Sequence, residues 1–458
     1  MQQTLRRALV SAGTLSATAL LTLTGLAAPA AAEDLPHNAT ESAQVTEAEI
    51  QNIVPELNNA DQGELADWYG KLNSDAGLPS DFYQAPATLP ASNGAIVKTA
   101  PMTFNIDPNN VITGPAAKAT KVMYKSTDFR GRPVAVTGAV LESKVAWSGP
   151  GERPVISFAP GTQGLGDSCA PSYQLEKGTE YEFIALTALL NSGYNVVVTD
   201  YVGSGTQGTH SYLNRVDQGN AVLDAARVAQ GAGIATATTP VGLWGYSQGG
   251  GAVASAGELQ ATYAPELNVK GIVAGASPAD LQAVMDNIDG TLYNGFMLMG
   301  LAGLGDSYGI DYSKYLTPQG QEAVSQIRTM CTGEAISAFG SVKNTGAYTL
   351  AGQPLSTVIK NNPELTQLLR ENSLAAEGRH PQAPILINSS WGDDVIPHAT
   401  NRKLGQAYCR AGSDVSFYSP MTPTHAGAAL AVIPRGLTFM DRRFKGLGQS
   451  DDCWLVGA

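Results

Sequence analysis

A serine between two glycines, directly after an apolar run, has the chemistry of a nucleophile that attacks a carbonyl carbon. Ser247 stands in Gly245-Tyr246-Ser247-Gln248-Gly249, and the run from Val241 to Tyr246 leads into it. A serine held this way lies on a sharp strand-to-helix turn, where the flanking glycines let the backbone double back. The pentapeptide alone is weak evidence, because the chain contains 50 glycines. The strand before Ser247 and the helical stretch after it make this residue our predicted nucleophile.

A second match to the same pattern occurs at Gly305-Asp306-Ser307-Tyr308-Gly309. No β-type apolar run precedes it, and the residues around it are typical of a loop. We therefore predict that Ser307 is a turn residue without a chemical role.

A serine nucleophile needs a histidine to accept its proton and a carboxylate to orient that histidine. After an elbow of this kind the chain order is serine, acid, histidine. The order excludes three of the five histidines, His37, His210 and His380. His425 follows the apolar run Val415 to Tyr418 and precedes a helical stretch, which makes it the predicted base. His398 follows the acidic turn so closely that we interpret it as a surface loop residue.

The candidate acid lies in the turn after the run Ile385 to Ser389, where a carboxylate just past a penultimate strand can reach the histidine loop. We predict Asp393 as this acid, with Asp394 as the alternative. Either aspartate could instead only cap the turn, a common role after glycine. Asp414 precedes its strand and would lie at the opposite end.

The oxyanion that forms on an attacked carbonyl needs preorganised hydrogen-bond donors. One predicted donor is the backbone N–H of Gln248, the residue after the nucleophile. The other is expected from the loop Pro160 to Ser168, in which three glycines allow close backbone approach or simply provide flexibility. Which N–H of this loop points inward is left open by the sequence.

Residues 203 to 208 read Gly-Ser-Gly-Thr-Gln-Gly, which matches the dinucleotide-binding pattern Gly-x-Gly-x-x-Gly. The next helical stretch begins near Val216 and not within the glycines, as phosphate binding at a helix N-terminus would need. We predict no nucleotide site and no cofactor.

Apolar runs alternate with helical stretches through most of the chain. The runs that predict strands are Val134 to Leu141, Val155 to Ala159, Asn195 to Thr199, Val241 to Tyr246, Val269 to Ala274, Ile385 to Ser389 and Val415 to Tyr418. The clearest predicted helices are Val216 to Gln230, Gly250 to Tyr263, Thr400 to Ala411 and Ala426 to Phe439. The alternation predicts an α/β fold, with a mostly parallel sheet flanked by helices.

The alternation stops over residues 280–380, which predicts a mainly helical insertion, or lid, between core parts at 96–279 and 381–458. This insertion carries an apolar cluster: Met285, Phe296, Met297, Leu298, Met299, Leu301 and Leu304. The cluster is either ordinary core or an apolar face over the site that adapts to acyl chains. Residues 33–95 are polar, with a helical patch from Thr46 to Leu72, and are expected to wrap the surface.

Residues 1–32 have the layout of an export signal, with Arg6 and Arg7, an apolar stretch from Ala8 to Leu26, and small residues that end at Ala32. A membrane anchor is the alternative, although the Ala, Thr and Ser content favours cleavage after Ala32. Loss of the two arginines would change the formal net charge from −12 to −14. This charge argues against nucleic acid as a partner.

Four cysteines follow the export signal: Cys169, Cys331, Cys409 and Cys453. An even number in an exported chain predicts two disulfides, with three pairings open. None lies in a Cys-x-x-Cys or Cys/His cluster, so we predict no metal site.

The chain resembles the secretory lipases, α/β-hydrolases of the fungal lipase A type with many actinobacterial members. The segments that carry the resemblance are Gly245 to Gly250, Asp393 to Pro397, His425, Asp200 to Gly205 and Asp167 to Tyr173. The resemblance implies ester hydrolysis, a helical lid, and the triad Ser247, Asp393 and His425. It also places Asp167 beside the oxyanion and pairs Cys169 with Cys331 and Cys409 with Cys453.

These inferences predict a secreted serine hydrolase that cleaves carboxylic esters, most specifically a triacylglycerol lipase. The alternatives are an acyltransferase of the same fold that acts on cell-envelope lipids, and a non-catalytic surface protein. We expect a monomer whose partner is a lipid or other ester substrate, with transient contact to a lipid interface left open.

Overall fold

A nine-stranded sheet forms the centre of the computed structural model, which describes residues 80–109, 114–448 and 451–457. The strands are β1 (Ile96–Met102), β2 (Ala117–Thr127), β3 (Pro133–Ser143), β4 (Val155–Ala159), β5 (Asn195–Val202), β6 (Val241–Tyr246), β7 (Val269–Gly275), β8 (Ile385–Asn388) and β9 (Val415–Tyr418). The predicted export signal and the helical patch within residues 33–95 lie outside the described residues.

Thirteen α-helices surround the sheet within the described residues. They are α1 (Pro171–Lys177), α2 (Phe183–Asn191), α3 (Arg215–Gly231), α4 (Gln248–Tyr263), α5 (Leu281–Ile288), α6 (Asn294–Tyr308), α7 (Pro318–Ile327), α8 (Thr332–Phe339), α9 (Leu355–Lys360), α10 (Pro363–Asn372), α11 (His398–Arg410), α12 (His425–Phe444) and α13 (Cys453–Val456). Short 3₁₀ turns occur among them, including Asp81–Tyr83 and Asp167–Cys169.

The strands follow the spatial order β1-β2-β3-β5-β4-β6-β7-β8-β9. β1, β2, β3 and β5 pair antiparallel in turn, whereas every neighbouring pair from β5 to β9 is parallel. The carboxyl ends of β4, β6, β7, β8 and β9 therefore meet at one edge of the sheet. In open α/β sheets this edge is where ligands bind.

Side chains alternate between the two faces of the sheet and build a core on each. In β6, Trp244 belongs to one buried cluster and Leu243 to the other. Phe158 and Ala159 divide in the same way at the end of β4. This period of two is what a strand buried on both faces requires, and it confirms the predicted parallel sheet with helices on either side.

All seven predicted strands are present, but β1 and β2 were not predicted. β2 contains four lysines or serines among its apolar residues, and Lys121 and Lys125 are buried despite their charge. Lys121 pairs with Glu176 at 2.7 Å, and Lys125 donates to Asn93. Partners supplied by other segments thus compensate these charges, and the strand's own sequence gives little sign of its burial.

Six helices, α5 to α10, lie between β7 and β8, where the sequence predicted a helical insertion. The prediction that Ser307 lies in a turn was wrong, because this residue lies inside α6 and donates from Oγ to the carbonyl of Gly303. α6 contains several glycines, and glycine is also common in loops. The residue pattern alone therefore did not distinguish this helix from a loop. No helix of the described residues is long and apolar enough to cross a membrane.

Two disulfides join Cys169 to Cys331 and Cys409 to Cys453. This is the pairing that the resemblance implied and that spacing alone left open. The first bond ties the loop after β4 to the start of α8 in the insertion. The second ties α11 to α13.

Candidate active site

Ser247 lies alone between the last residue of β6 and the first residue of α4, with φ 58° and ψ −121°. A residue with a side chain rarely adopts a positive φ, so the surrounding structure must hold it there. The Ser247 amide donates to the carbonyl of Gly275 at 2.9 Å, which fixes the turn to β7. The backbone thus has the sharp strand-to-helix turn that the sequence predicted.

Two glycines make this turn sterically feasible. A Cβ atom on Gly249 would overlap the carbonyl oxygen of Ala159 in β4, and one on Gly245 would overlap the carbonyl oxygen of Gly249. Strand β4 and the first turn of α4 therefore approach each other closely only because both positions lack a side chain.

Asp393 and His425 meet on the loops that follow β8 and β9. His425 Nδ1 lies 2.8 Å from Asp393 Oδ2 and 2.9 Å from Oδ1, and the carboxylate is fully buried. Oδ1 also accepts the amides of Val395 and Ile396 at 3.0 and 2.8 Å. This contact assigns the Nδ1 proton to the side facing the carboxylate, which leaves Nε2 free to accept a proton.

Asp394, the alternative acid, contacts the backbone of the same histidine and not its ring. Its Oδ1 accepts the His425 amide at 2.8 Å, and its Oδ2 accepts the Tyr293 hydroxyl at 2.9 Å. Because His425 begins α12, a carboxylate here also lies favourably at a helix N-terminus. Of the two adjacent aspartates, only Asp393 is bonded to the imidazole.

The histidine loop packs against the residue that precedes Ser247. The Tyr246 ring lies 5.0 Å from the His425 ring, and its hydroxyl donates to the His425 carbonyl at 2.8 Å. His425 and Ser247 therefore share the carboxyl edge of the sheet. Two other histidines have different partners: His380 is partly exposed and its Nδ1 lies 2.9 Å from the Gly378 carbonyl, and His398 bonds to Ser419 Oγ at 2.7 Å.

His398 was predicted as a surface loop residue, and this was wrong. It is the first residue of α11 and its ring stacks on Trp391 at 4.0 Å. Trp391, directly before the acid turn, is thereby covered on one face although 61% of its surface remains exposed. The turn between β8 and α11 is simply shorter than the pattern suggested.

His210 contacts the residue after Ser247, although chain order excluded it as a base. Its Nδ1 lies 3.1 Å from the Val202 carbonyl, and its Nε2 lies 2.9 Å from Gln248 Nε2. Burial lowers the pKa of His210 to about 4, so the ring is neutral at ordinary pH. The neutral ring then donates from Nδ1 to the Val202 carbonyl and accepts through Nε2 from the side-chain amide of Gln248.

The loop after β4 is held on several sides at the position facing Ser247. The Gly161 amide donates to Glu182 Oε2 at 2.5 Å, and the Pro160 carbonyl accepts the Tyr201 hydroxyl at 2.6 Å. The Thr162 carbonyl accepts the Tyr181 hydroxyl at 2.9 Å. Burial raises the pKa of the Glu182 carboxyl well above its usual range, and the same holds for its neighbour Glu180.

An apolar pocket opens beside Ser247 and encloses about 450 Å³, including its mouth to solvent. Its polar lining comes from the elbow and the β4 loop, namely Ser247, Gln248 and Thr162. Its apolar lining comes largely from the insertion and includes Met285, Phe296 and Met297. Met285 and Met297 also belong to the buried core, together with Met299 and Leu304 of the same predicted cluster. The cluster is therefore part of the core, and some of its members also form the wall of the pocket.

Asp167 does not lie at this pocket. It is an exposed residue of the 3₁₀ turn Asp167–Cys169, and the pocket lining includes Thr162 from the same loop but not Asp167. The position of Asp167 beside the oxyanion, which the resemblance implied, stays a prediction. Thr162 is the residue of this loop that lines the pocket, and nothing in its type distinguishes it from the other loop residues.

Comparison with known proteins identifies the family of the chain. The sequence profile described as secretory lipase matches residues 172–451, a span that contains Ser247, Asp393 and His425. The chain belongs to the secretory lipase family. Membership of this family supports the activity of an ester-hydrolysing lipase, which the resemblance implied.

Two curated secretory lipase relatives cover most of this chain. A protein of Mycobacterium tuberculosis (strain CDC 1551 / Oshkosh) named "probable inactive lipase" is 28% identical over 392 residues, 82% of this chain and 84% of that protein. Lipase A of Arthroderma benhamiae is 26% identical over 403 residues, 83% of each chain.

Solved structures show the fold of this chain. Lipase A of Candida antarctica in its closed state superposes with a TM-score of 0.70 at 20% identity, over 82% of this chain and 88% of that one. A mutant of the rice cell wall degrading esterase of Xanthomonas oryzae superposes with a TM-score of 0.64 at 17% identity, over 77% of this chain and all of that one. The α/β-hydrolase fold predicted from the sequence is confirmed.

Proposed function

We propose that this member of the secretory lipase family is a secreted serine hydrolase that cleaves the carboxylic esters of lipids, with triacylglycerols as its substrate class. The observation that carries the proposal is the pairing of Asp393 with His425 Nδ1 at the sheet edge where Ser247 occupies a strained turn. A buried carboxylate that orients a histidine is the arrangement that activates a serine hydroxyl.

In the first half of the reaction, Ser247 Oγ attacks the ester carbonyl carbon as His425 Nε2 accepts its proton. The Asp393 carboxylate stabilises the imidazolium that forms. The oxyanion accepts hydrogen bonds from the Gln248 and Thr162 amides. Collapse of the tetrahedral intermediate breaks the bond to the alcohol oxygen, which takes the proton from His425 and leaves an acyl-serine.

In the second half, His425 removes a proton from water, which attacks the acyl carbonyl. The second tetrahedral intermediate collapses to the free carboxylic acid and returns the proton to Ser247. The same groups thus serve twice, and the balance needs only ester and water. No cofactor takes part in these steps.

Backbone geometry supports the two amides as donors. Gln248 is the first residue of α4, so its amide has no acceptor within the helix. Thr162 lines the same pocket, and the peptides on either side of its amide are held by Tyr201, Glu182 and Tyr181. The amide of Thr162 is left as the donor available to a substrate oxygen.

The pocket supports a lipid acyl group as the part of the substrate that binds. Met285, Leu281 and Ile288 from α5 and Met297 from α6 give it apolar walls. Methionine side chains adapt to flexible chains, and the walls offer no charged group that would attract a polar acyl substituent. We therefore infer that the insertion acts as a cap over the acyl site.

The decisive experiment measures hydrolysis of p-nitrophenyl butyrate, p-nitrophenyl palmitate and emulsified triacylglycerol by the purified chain. The Ser247→Ala variant should lose at least about 10⁴-fold in kcat, and a fluorophosphonate probe should label wild type at Ser247 only. Ser307→Ala provides a matched control, since that hydroxyl bonds only within α6. Full activity of Ser247→Ala would reject the proposal.

A non-catalytic role is the second candidate, and the name of the mycobacterial relative is the observation that favours it. In that case the correctly folded chain would neither react with the fluorophosphonate nor turn over any of the three esters. If the fluorophosphonate labels Ser247 but no ester is hydrolysed in water, the result would instead support acyl transfer. Formation of an acylated product from an added alcohol would establish that activity.

A further inference from the structure

Several contacts join the insertion to the loop that carries the Thr162 amide, and they converge on Thr332. Thr332 is buried at the start of α8 and donates from Oγ1 to the Thr162 carbonyl at 2.5 Å. Its amide donates to the Gln163 carbonyl at 2.9 Å. One residue of the insertion thus holds two successive carbonyls of the β4 loop.

The neighbours of Thr332 extend this contact along the loop. Leu165 donates its amide to the Met330 carbonyl at 3.0 Å, and Gly164 forms an isolated antiparallel bridge with Cys331. Gly164 has φ +126°, and a Cβ there would lie 2.5 Å from Cys331 Cα. The Cys169–Cys331 disulfide closes the far end of the same segment.

The Thr162 carbonyl therefore has one donor from each part of the molecule. Tyr181, in the segment between α1 and α2, donates from the core side, and Thr332 donates from the insertion side. Two donors to one carbonyl fix the orientation of the peptide between Thr162 and Gln163. The direction of the Thr162 amide, one peptide earlier, depends on that orientation because the two share the same Cα.

We propose that Thr332 is a positioning residue, through which the insertion sets the direction of the Thr162 amide toward the substrate oxyanion. The inference rests on the proposed function, and it gives the insertion a part in the reaction rate in addition to its part in acyl binding. Thr332 itself touches neither substrate nor reacting atoms. It acts through the Thr162 carbonyl.

The consequence is a separation of kcat from KM. An oxyanion donor acts on a charge that is present in the transition state and absent from the bound ester, so its misdirection lowers kcat and leaves KM nearly unchanged. A loss of acyl-pocket shape would instead raise KM for long chains. This split distinguishes positioning from a merely structural role.

The test compares Thr332→Val, which keeps the shape and removes the hydroxyl, with Thr332→Ser, which keeps the hydroxyl. Thr332→Val should lower kcat on p-nitrophenyl butyrate about 10-fold at unchanged KM, and Thr332→Ser should restore kcat to within about 2-fold of wild type. Thr329→Val is the control, because Thr329 is exposed and its hydroxyl bonds only to Gln326. Equal losses in the Val and Ser variants, or a loss expressed in KM, would overturn the proposal.

Two further measurements keep the result interpretable. Tyr181→Phe removes the other donor to the same carbonyl, and its combination with Thr332→Val should lower kcat by more than the product of the two single effects. Hydrogen exchange of the peptide containing Thr162 should be faster in Thr332→Val than in wild type or Thr332→Ser, whether or not the chain is an esterase. Unchanged exchange would reject Thr332 as the holder of the loop, whereas absent Ser247 labelling in wild type would reject the proposed function separately.

Discussion

Asp394 accepts the backbone amide of His425, while its neighbour Asp393 accepts the ring nitrogen of the same residue. Two adjacent carboxylates therefore hold one histidine at different points. Asp394 holds the backbone of the histidine, and Asp393 holds the orientation of its ring. These different contacts predict different functions for Asp393 and Asp394, although the two aspartates are adjacent in the sequence.

Asp393→Asn should lower kcat/KM far more than Asp394→Asn. Asp393→Asn removes the charge that stabilises the imidazolium and can stabilise the wrong tautomer, so kcat/KM should fall about 10⁴-fold. Asp394→Asn keeps an oxygen for the His425 amide and should cost less than about 10-fold. Steady-state hydrolysis of p-nitrophenyl butyrate measures both. Comparable losses in the two variants would contradict the assignment of roles.

Met285 should control the acyl length that the site accepts. It lines the pocket at Ser247 and also a second apolar pocket within the insertion, between Leu301, Leu304 and Leu365. Met285→Trp should fill space in the pocket beside Ser247, so that the ratio of palmitate to butyrate ester hydrolysis falls at least about 10-fold. Met285→Leu conserves volume and should leave the ratio unchanged. An unaltered ratio in the Trp variant would show that long chains take another path.

Glu258 should be a main determinant of stability. Its fully buried carboxylate in α4 lies 3.4 Å from Arg215 and 3.2 Å from Arg379, and it accepts the Tyr408 hydroxyl at 2.9 Å. Glu258→Gln leaves two largely buried guanidinium groups without their counter-charge and should cost about 3 to 5 kcal/mol in the free energy of unfolding.

Urea denaturation measures this cost, and Glu266→Gln is the matched control. Glu266 also pairs with an arginine, Arg227 at 2.6 Å, but its side chain is half exposed. The control should therefore change stability by less than about 1 kcal/mol. Equal effects of the two substitutions would contradict the importance of burial.

Asp200 should make the protein less stable as pH rises from 4 to 7. Burial raises the pKa of Asp200 to about 6 although Ser172 donates to it from both amide and hydroxyl. The folded state then holds a proton that the unfolded chain, with a pKa near 3.9, has released. Stability from this group is present below about pH 4, falls between pH 4 and 6, and stays lost above.

The variant Asp200→Asn cannot ionise and should lack this component. Relative to wild type, its free energy of unfolding should increase between pH 4 and pH 7 by about 2 to 3 kcal/mol. Urea titrations at the two pH values measure the difference, and any constant cost of the substitution cancels. A difference that does not change with pH would show that Asp200 titrates normally in the folded chain.

Much of the fold could be read from the sequence because the parallel strands are buried on both faces. β4, β6 and β9 have the bounds that their apolar runs predicted, since such strands carry almost no polar residue. β2 could not be read this way, because its lysines find Glu176 and Asn93 only in the folded chain. Ser307 was misassigned because a glycine-rich apolar helix and a loop share the same residues.

The candidate site likewise contains residues that could be predicted from the sequence and residues that could not. Ser247, Asp393 and His425 could be selected by residue type and chain order, since few residues can perform those roles and the fold orders them. The proposed roles of Thr162 and Thr332 could not be predicted, because they depend on backbone groups and on contacts between distant segments. The contact of His210 with Gln248 depends on the folded chain in the same way. A backbone amide is present at every residue but proline, so only its direction in the folded chain gives it a function.

The sequence by itself determined the α/β fold, the position of the strained serine, and the small set of candidate residues for the proposed chemistry. The tertiary structure alone decided which aspartate binds the histidine ring, which loop residue lies at the pocket, and which segment of the insertion holds that loop. The physical reason is the sequence separation of the interacting residues. Apolar periodicity can be recognised within a few consecutive residues, whereas the hydrogen bond from Thr332 to Thr162 joins positions 170 residues apart.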